Sequence, residues 1–253
     1  MWVPAVAVQI LHVGKCGGTA IRHAIREARA AAGGRLDSPW GPIWARQGHR
    51  YKLSDVPEGD RAVFVLRDPV TRFVSGFYSR LRKGRPRHFR EWSDEERRAF
   101  DWFTTPEALA EALAARGEER KRAEFAMRTI RQVRRPMTQW TGSPEYLLAN
   151  LDKVLYIARQ ETLDDDWANI KELLGLPPTL TLPQDEVGAH RTVYPREQRI
   201  GERGLAALRD WFEDDYRLLE IAEDFRAGRA PAPARGLTTG ARRVARRLRQ
   251  TLS

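Results

Sequence analysis

Apolar and polar positions alternate along this chain in blocks, and the period of each block predicts a different element. Ala5 to Val13 is a nearly unbroken apolar run, as expected of a strand buried in a parallel sheet. A glycine-rich turn follows, Gly14-Lys15-Cys16-Gly17-Gly18-Thr19. From there Ala20, Ile21, Ala24, Ile25 and Ala28 recur at helical spacing. Gly33-Gly34 and the stretch Asp37 to Pro42 read as loop, and a short strand is predicted around Gln47–Leu53. Pro57-Glu58-Gly59-Asp60 is a turn, and Ala62 to Leu66 is an apolar run bounded by charge that predicts a second buried strand. Asp68 then caps a helix that carries Pro69 in its first turn. On that helix Arg72 and Ser75 form a polar face, and Phe73 and Phe77 an apolar one.

Farther along, Thr105 to Ala126 predicts one helix with Leu109 and Leu113 on one face, and Ser143-Pro144-Glu145 begins another. Lys153 to Ala158 predicts a strand, Asp166 to Leu176 a helix stopped by Pro177-Pro178, and Leu205 to Ala222 an amphipathic helix. Trp92, Phe100, Trp102 and Phe103 are expected in the core. The fold class that results is α/β: a single domain with a central parallel sheet flanked by helices, right-handed crossovers and a P-loop-like turn after the first strand. We assign residues 1–226 to that domain and 227–253 to a basic Pro/Ala/Arg-rich tail.

Composition narrows the picture. A chain of 253 residues can bury one substantial core, and eight tryptophans with 42% hydrophobic residues exclude a disordered polymer. The single cysteine excludes intramolecular disulfides and fits a reducing compartment. No apolar run approaches the roughly 18 residues of a membrane span, and no signal-peptide pattern opens the chain, so a cytoplasmic location is expected. The net charge of +10 invites a nucleic-acid partner, but eight arginines and no acids lie between Arg226 and Ser253. That leaves about +2 for the rest of the chain, and no nucleic-acid partner is expected. Within the tail, Ala230 to Ala234 is a linker, and Val244, Leu248 and Leu252 recur every four residues among arginines. The expectation is a flexible tail, or short amphipathic helix, with peripheral contact to an anionic membrane.

The candidate chemistry begins at the glycine-rich turn. A strand, a tight loop and a helix N-terminus make a phosphate cradle, to which Lys15 adds charge and Thr19 a hydroxyl. The nucleoside-triphosphate motif G-x-x-x-x-G-K-[ST] is not met. Its first glycine would fall at Gln9, and Cys16 stands where a magnesium-binding hydroxyl is needed. Arg67 leaves the carboxyl end of the second buried strand, where ligands bind in open α/β sheets, and can converge with Ser75 on one anion.

Lys15-Cys16-Gly17-Gly18-Thr19 resembles the 5′-phosphosulfate loop of sulfotransferases, and Arg67-Asp68-Pro69-Val70-Thr71-Arg72-Phe73-Val74-Ser75 resembles their 3′-phosphate motif. The run from His12 to Thr19 is similar to the H-x-x-K-x-G-G-T pattern of carbohydrate sulfotransferases. The resemblance implies 3′-phosphoadenosine 5′-phosphosulfate (PAPS) as donor, the 3′,5′-bisphosphate (PAP) as product, no metal, and an acceptor hydroxyl on a carbohydrate or glycolipid. It implies donor contacts at Lys15, Cys16, Gly17, Gly18, Thr19, Ala20, Arg67 and Ser75. A late loop containing His190, Arg191 and Thr192 would add Arg191 and Thr192, and Asp214-Asp215-Tyr216 is similar to the family's closing helix.

Gly48-His49 resembles the segment that supplies a catalytic base in relatives, so His49 and Lys15 are the expected catalytic residues; Glu27 or Asp37 is the alternative base. His12 is expected to pack at the strand end. The basic stretch Arg80 to Arg90, with His88, is expected to be a solvated loop or an attractor for an anionic acceptor. Two other functions remain open at this point: a P-loop phosphotransferase, and a basic membrane- or nucleic-acid-binding module.

Overall fold

The computed structural model describes residues 6–45, 50–86, 88–183 and 200–229. Five strands form one sheet: β1 (Val8–Ile10), β2 (Asp37–Ser38), β3 (Gly41–Ala45), β4 (Arg61–Leu66) and β5 (Val154–Arg159), in the order β2-β3-β1-β4-β5. β1 pairs in parallel with both β3 and β4, and β4 pairs in parallel with β5; only the β2–β3 hairpin is antiparallel. The fold is α/β as expected. The chain leaves β1 toward β3 on one side and returns to β4 on the other, so the strand order switches direction at β1. That is where a crevice opens at the carboxyl edge of such sheets.

β1 is shorter than its apolar run. After Leu11, whose N–H still reaches the Val63 carbonyl at 2.9 Å, the backbone leaves the ladder to begin the turn. The polar Gln9 is buried within β1 because Asp60 answers it: its Nε2 donates to Asp60 Oδ2 at 2.6 Å, and Asp60 Oδ1 accepts the Ala7 N–H at 2.9 Å.

The segment expected to be loop at residues 37–42 instead contributes to β2 and β3, and Leu53, expected in a strand, begins a 3-10 turn over Leu53–Asp55. Gly41 and Pro42 carry turn signals. The strand exists because Ile43 is buried against the sheet and its N–H reaches the Leu36 carbonyl at 2.8 Å. Gly41 has φ 102°, and a side chain there would collide with the Val6 carbonyl, so the turn requires glycine.

The helices are α1 (Gly18–Ala31), α2 (Pro69–Leu81), α3 (Asp94–Trp102), α4 (Pro106–Ala114), α5 (Gly117–Thr129), α6 (Thr138–Thr141), α7 (Pro144–Ala149), α8 (Leu163–Leu174), α9 (Glu202–Trp211) and α10 (Glu213–Arg226). The single helix predicted over 105–126 is two. The chain becomes extended at Ala115 and Arg116, and Gly117 has φ 63°. Arg120 caps the break by donating to the Leu113 carbonyl at 3.0 Å. The helix predicted over 205–222 is likewise split at Phe212, which is buried beside Phe73 with ring centroids 6.4 Å apart. An apolar residue at the break keeps the pattern continuous while the backbone turns.

Two apolar clusters hold the fold. One wraps the sheet and includes Ile10, Phe64, Trp140 and Trp167. The other joins α2 to α3, α4, α5 and α9 through Phe73, Phe77, Phe100, Met127 and Phe212. Phe100 and Phe103 are buried as predicted, whereas Trp102 stays partly exposed beneath Arg122, 5.4 Å from its ring.

Candidate active site

The turn after β1 is shaped by its backbone. Lys15 and Gly17 both take positive φ, 67° and 86°, a conformation glycine adopts freely and lysine only under constraint. α1 begins at Gly18 with Gly17 as its cap; no side chain caps its first N–H groups, and the Ala20 N–H bonds the Gly17 carbonyl at 3.0 Å. Gly18 packs closely: a Cβ there would stand 3.1 Å from His12 Cδ2 and would require that ring to give by a few tenths of an ångström. Cys16 turns the other way, into the core, with Sγ 3.7 Å from Met137 Sδ and 3.6 Å from the Gly14 carbonyl. Burial pushes its thiol up to about 11, so it is no nucleophile at neutral pH.

β4 delivers the second segment. Asp68 accepts the Thr71 N–H at 2.8 Å and caps α2, which starts on Pro69. Arg67 reaches across to the first turn, with Nη1 donating to the Lys15 carbonyl at 3.2 Å and Nε to Thr71 Oγ1 at 3.0 Å. Arg72, placed by the sequence on a polar face of α2, is almost fully buried. Its Nε donates to the Gly14 carbonyl at 2.9 Å, its Nη2 to the Arg135 carbonyl, and its Nη1 lies 4.0 Å from Asp215. Asp215 also accepts the Met137 and Thr138 N–H groups, so α10 is tied to the floor of the site. Tyr216 next to it donates to Asp68 at 3.3 Å; burial, then the Asp68 charge, pushes its hydroxyl up to about 12.

These elements enclose a cavity of about 450 Å³. Lys15, Gly17, Thr19, Arg67 and Ser75 line it together, and His12 and Arg22 join them. Burial, followed by Arg67, Arg82 and Arg72, lowers the Lys15 pKa to about 8. A lysine held among arginines is an anion site awaiting its charge.

Arg22 Nη1 lies 2.7 Å from His12 Nδ1, and a guanidinium can only donate, so Nδ1 accepts and Nε2 carries the ring proton. That proton faces Thr19 Oγ1 at 3.5 Å. His12 therefore packs and hydrogen-bonds, as expected, and its Nε2 has no lone pair with which to take a substrate proton.

Ala20 lies outside this cavity. With Gly17 it borders a second one of about 440 Å³, lined also by Gln160 to Asp165, Leu182 and Pro183. The alternative bases stand apart from both cavities: Glu27 pairs with His23 at 3.4 Å on the exposed side of α1, and Asp37 with Arg35 at 2.7 Å at the sheet edge. His49, His190, Arg191 and Thr192 lie outside the described residues, as does the tail from residue 230.

The opposite wall joins part of the basic stretch Arg80 to Arg90, expected as a solvated loop or an anion attractor, to a segment the sequence reading missed. Arg131, Gln132 and Arg135, between α5 and α6, line the cavity together with Ser79, Arg80, His88 and Arg90. The charge run Arg131, Arg134, Arg135 was the only available signal, and it sits between helices without periodicity.

Residues 49–220 match the model of the sulfotransferase family. The chain belongs to the sulfotransferase family. No curated protein matches it. The matched range includes Arg67, Ser75 and the arginine wall but begins after the Lys15–Thr19 turn, which the geometry brings beside Arg67: β1 pairs with β4, and Arg67 donates to the Lys15 carbonyl. Membership displaces the phosphotransferase and pure binding-module alternatives. Among the described residues no cluster of metal-ligating side chains occurs, and no helix is long and apolar enough to cross a membrane.

Proposed function

We propose that the protein transfers a sulfuryl group from PAPS to a hydroxyl on a carbohydrate or glycolipid. The observation that carries this reading is the convergence of Lys15, Thr19, Arg67 and Ser75 on one cavity, from the turns and following helices of two adjacent parallel strands. The uncapped N-terminus of α1 and the lowered Lys15 pKa both fit a phosphorylated sulfate donor. Bound there, the donor supplies a sulfur open to attack by the acceptor oxygen, with the 5′-phosphate leaving as PAP.

The chain's residues act on the charges that move. Lys15 and the first N–H groups of α1 stabilise the negative charge that accumulates on the leaving phosphate. Thr19, accepting from His12, keeps its own hydroxyl proton for a phosphate oxygen. Arg67 and Ser75 hold the 3′-phosphate, and Arg191 and Thr192 are proposed to close over it. His49, which follows the carboxyl end of β3, is proposed to take the acceptor's hydroxyl proton.

No step calls for a metal. The expected partners are the donor and an acceptor hydroxyl, with a cytoplasmic location and an anionic-membrane contact through the tail as further proposals.

Calorimetric titration with PAP tests the reading. Wild type should bind without metal, and Arg67→Ala and Lys15→Ala should each lose about tenfold or more, the range for a charge-assisted contact. Failure of wild type to bind PAP, with tight binding of ATP and magnesium, would overturn it.

A further inference from the structure

Arg67 has a phosphate to meet, and the backbone that presents it is held by a carboxylate from the next strand. β4 and β5 run in parallel with Leu66 opposite Arg159, so Asp68 and Glu161 each stand two residues past the last pair. There Glu161 Oε1 accepts the Asp68 N–H at 2.7 Å. That N–H belongs to the peptide joining Arg67 to Asp68, so the bond fixes the plane from which the Arg67 side chain departs. Arg67 itself rests on Thr71 Oγ1 and the Lys15 carbonyl, while Asp68 Oδ2 accepts the Tyr216 hydroxyl.

Glu161 is held in its turn. Its Oε2 accepts from Arg159 Nε at 3.2 Å, and Arg159 Nη1 pairs with Glu223 of α10 at 2.5 Å. The turn that carries it, Gln160–Thr162, is pinned on both flanks to the fully buried Asp166. Asp166 Oδ2 accepts the Arg159 N–H and the Thr162 hydroxyl, each at 2.8 Å. Asp166 also accepts from Tyr156 at 2.7 Å and from Arg226 at 3.1 Å. All of this places a group whose charge opposes the ligand proposed for Arg67. A carboxylate beside a phosphate site weakens anion binding unless its position matters more than its charge. The Asp68 N–H and Arg159 each bind one of its oxygens and offset that charge.

We propose that Glu161 is a positioning residue for the 3′-phosphate site: it sets the Arg67–Asp68 peptide so that the Arg67 guanidinium faces the 3′-phosphate. The proposal rests on the sulfuryl-transfer reading above and deepens it. The role belongs to the reach of the side chain and not to its charge. An aspartate in its place keeps a carboxylate near Arg159 but is one methylene too short for the Asp68 N–H. A glutamine keeps an oxygen on that N–H and drops the charge, while Arg159 keeps Glu223. Glu161 also borders the second cavity, so direct contact with the nucleoside is the competing role.

The test is calorimetry on the full chain with two ligands, PAP and adenosine 5′-phosphate, which lacks the 3′-phosphate. Wild type should prefer PAP by about tenfold or more, the scale of one charge-assisted contact. Glu161→Asp should reduce that preference about fivefold or more while its affinity for adenosine 5′-phosphate stays within about twofold of wild type. Glu161→Gln should keep the preference within about twofold of wild type. An unchanged preference in Glu161→Asp would overturn the role. So would the reverse order, with Glu161→Asp retaining the preference and Glu161→Gln losing it, since charge would then be what acts. Loss of both ligands together in Glu161→Asp, through misfolding seen in its melting curve or through a lost nucleoside contact, would overturn it too. Wild type that binds the two ligands equally, or binds neither, would instead strike the parent reading's donor assignment, and the positioning role with it.

Discussion

The two halves of α2 each bury an arginine, and they use it differently. Near the N-terminal end, Arg72 is held by carbonyls: Gly14 of the phosphate turn and Arg135 of the far wall, with Asp215 only at 4.0 Å. Near the C-terminal end, Arg80 is locked onto Glu96 by two short bonds and spends its remaining donors on the loop after α2. The carboxylates register the difference. Burial raises the Asp215 pKa against the pull of Arg72 and two backbone N–H groups. Burial also opposes ionisation of Glu96, but its bonds to Arg80 and Arg131 prevail and the pKa is lowered. Arg72 is therefore a clamp between two loops of the site, whereas Arg80 is half of an ion pair on which one wall is mounted. Buried arginines on one helix, two turns apart, need not share a role.

Breaking the pair should show the larger effect on stability. Arg80→Met leaves Glu96 buried without its cation and should cost about 3–5 kcal/mol in urea unfolding, with most of it recovered in Arg80→Met/Glu96→Leu. A loss below about 1 kcal/mol would remove the distinction. Arg72→Met removes bonds to carbonyls and should cost less, about 1.5–3 kcal/mol. It should nevertheless weaken PAP binding by about tenfold, because Gly14 begins the turn that carries Lys15, while Arg80→Met leaves PAP binding within about threefold. Equal effects of the two variants on PAP affinity would contradict the assignment of Arg72 to a clamp that reaches the Lys15 turn and of Arg80 to the far wall alone.

A third test sharpens the donor end. Free Lys15 titrates near 8, and a bound anion must raise that value, so the ligand prefers the protonated form. PAP affinity should be flat below pH 7 and fall by about tenfold between pH 7 and pH 9, since binding must then draw a proton from solution. Lys15→Arg should flatten the profile. The smallest effect belongs to the cap that starts α3 beside the Arg80–Glu96 pair: Ser93 Oγ accepts the Glu96 N–H at 3.2 Å, and Glu96 Oε2 accepts the Ser93 N–H at 3.3 Å. Ser93→Ala should cost about 1 kcal/mol in the same unfolding assay and leave PAP affinity unchanged.

Much of the framework around the proposed donor end was legible in the chain. Val8–Ile10 and Arg61–Leu66 are apolar runs that a parallel sheet must bury, and each opens into a turn with Gly, Pro or Asp at positions that start a helix. β3 was not legible, because Gly41 and Pro42 signal a turn and only pairing with β1 makes the segment a strand. Arg72 was read onto a polar face three residues from Ser75; local spacing gives the face but not what packs on it, here the backbone of two distant loops. The far wall was harder still. Arg131 and Arg135 lie in an irregular stretch where charge reads as solvation, and their place in the cavity depends on Glu96, 35 positions away, accepting the Arg131 N–H.

By itself the sequence determined the α/β alternation and the two strand–turn–helix units that carry Lys15–Thr19 and Arg67–Ser75. These are local matters of apolar period, cap and glycine, carried by residues near one another in the chain. Only the tertiary structure decided that Arg72 is buried and that His12 holds its proton toward Thr19. It also decided that an ion pair on α2 and α3 assembles an arginine wall across from the donor turn. Those outcomes depend on which carbonyls, carboxylates and guanidinium groups meet after the sheet and helices pack, and chain spacing carries no record of that.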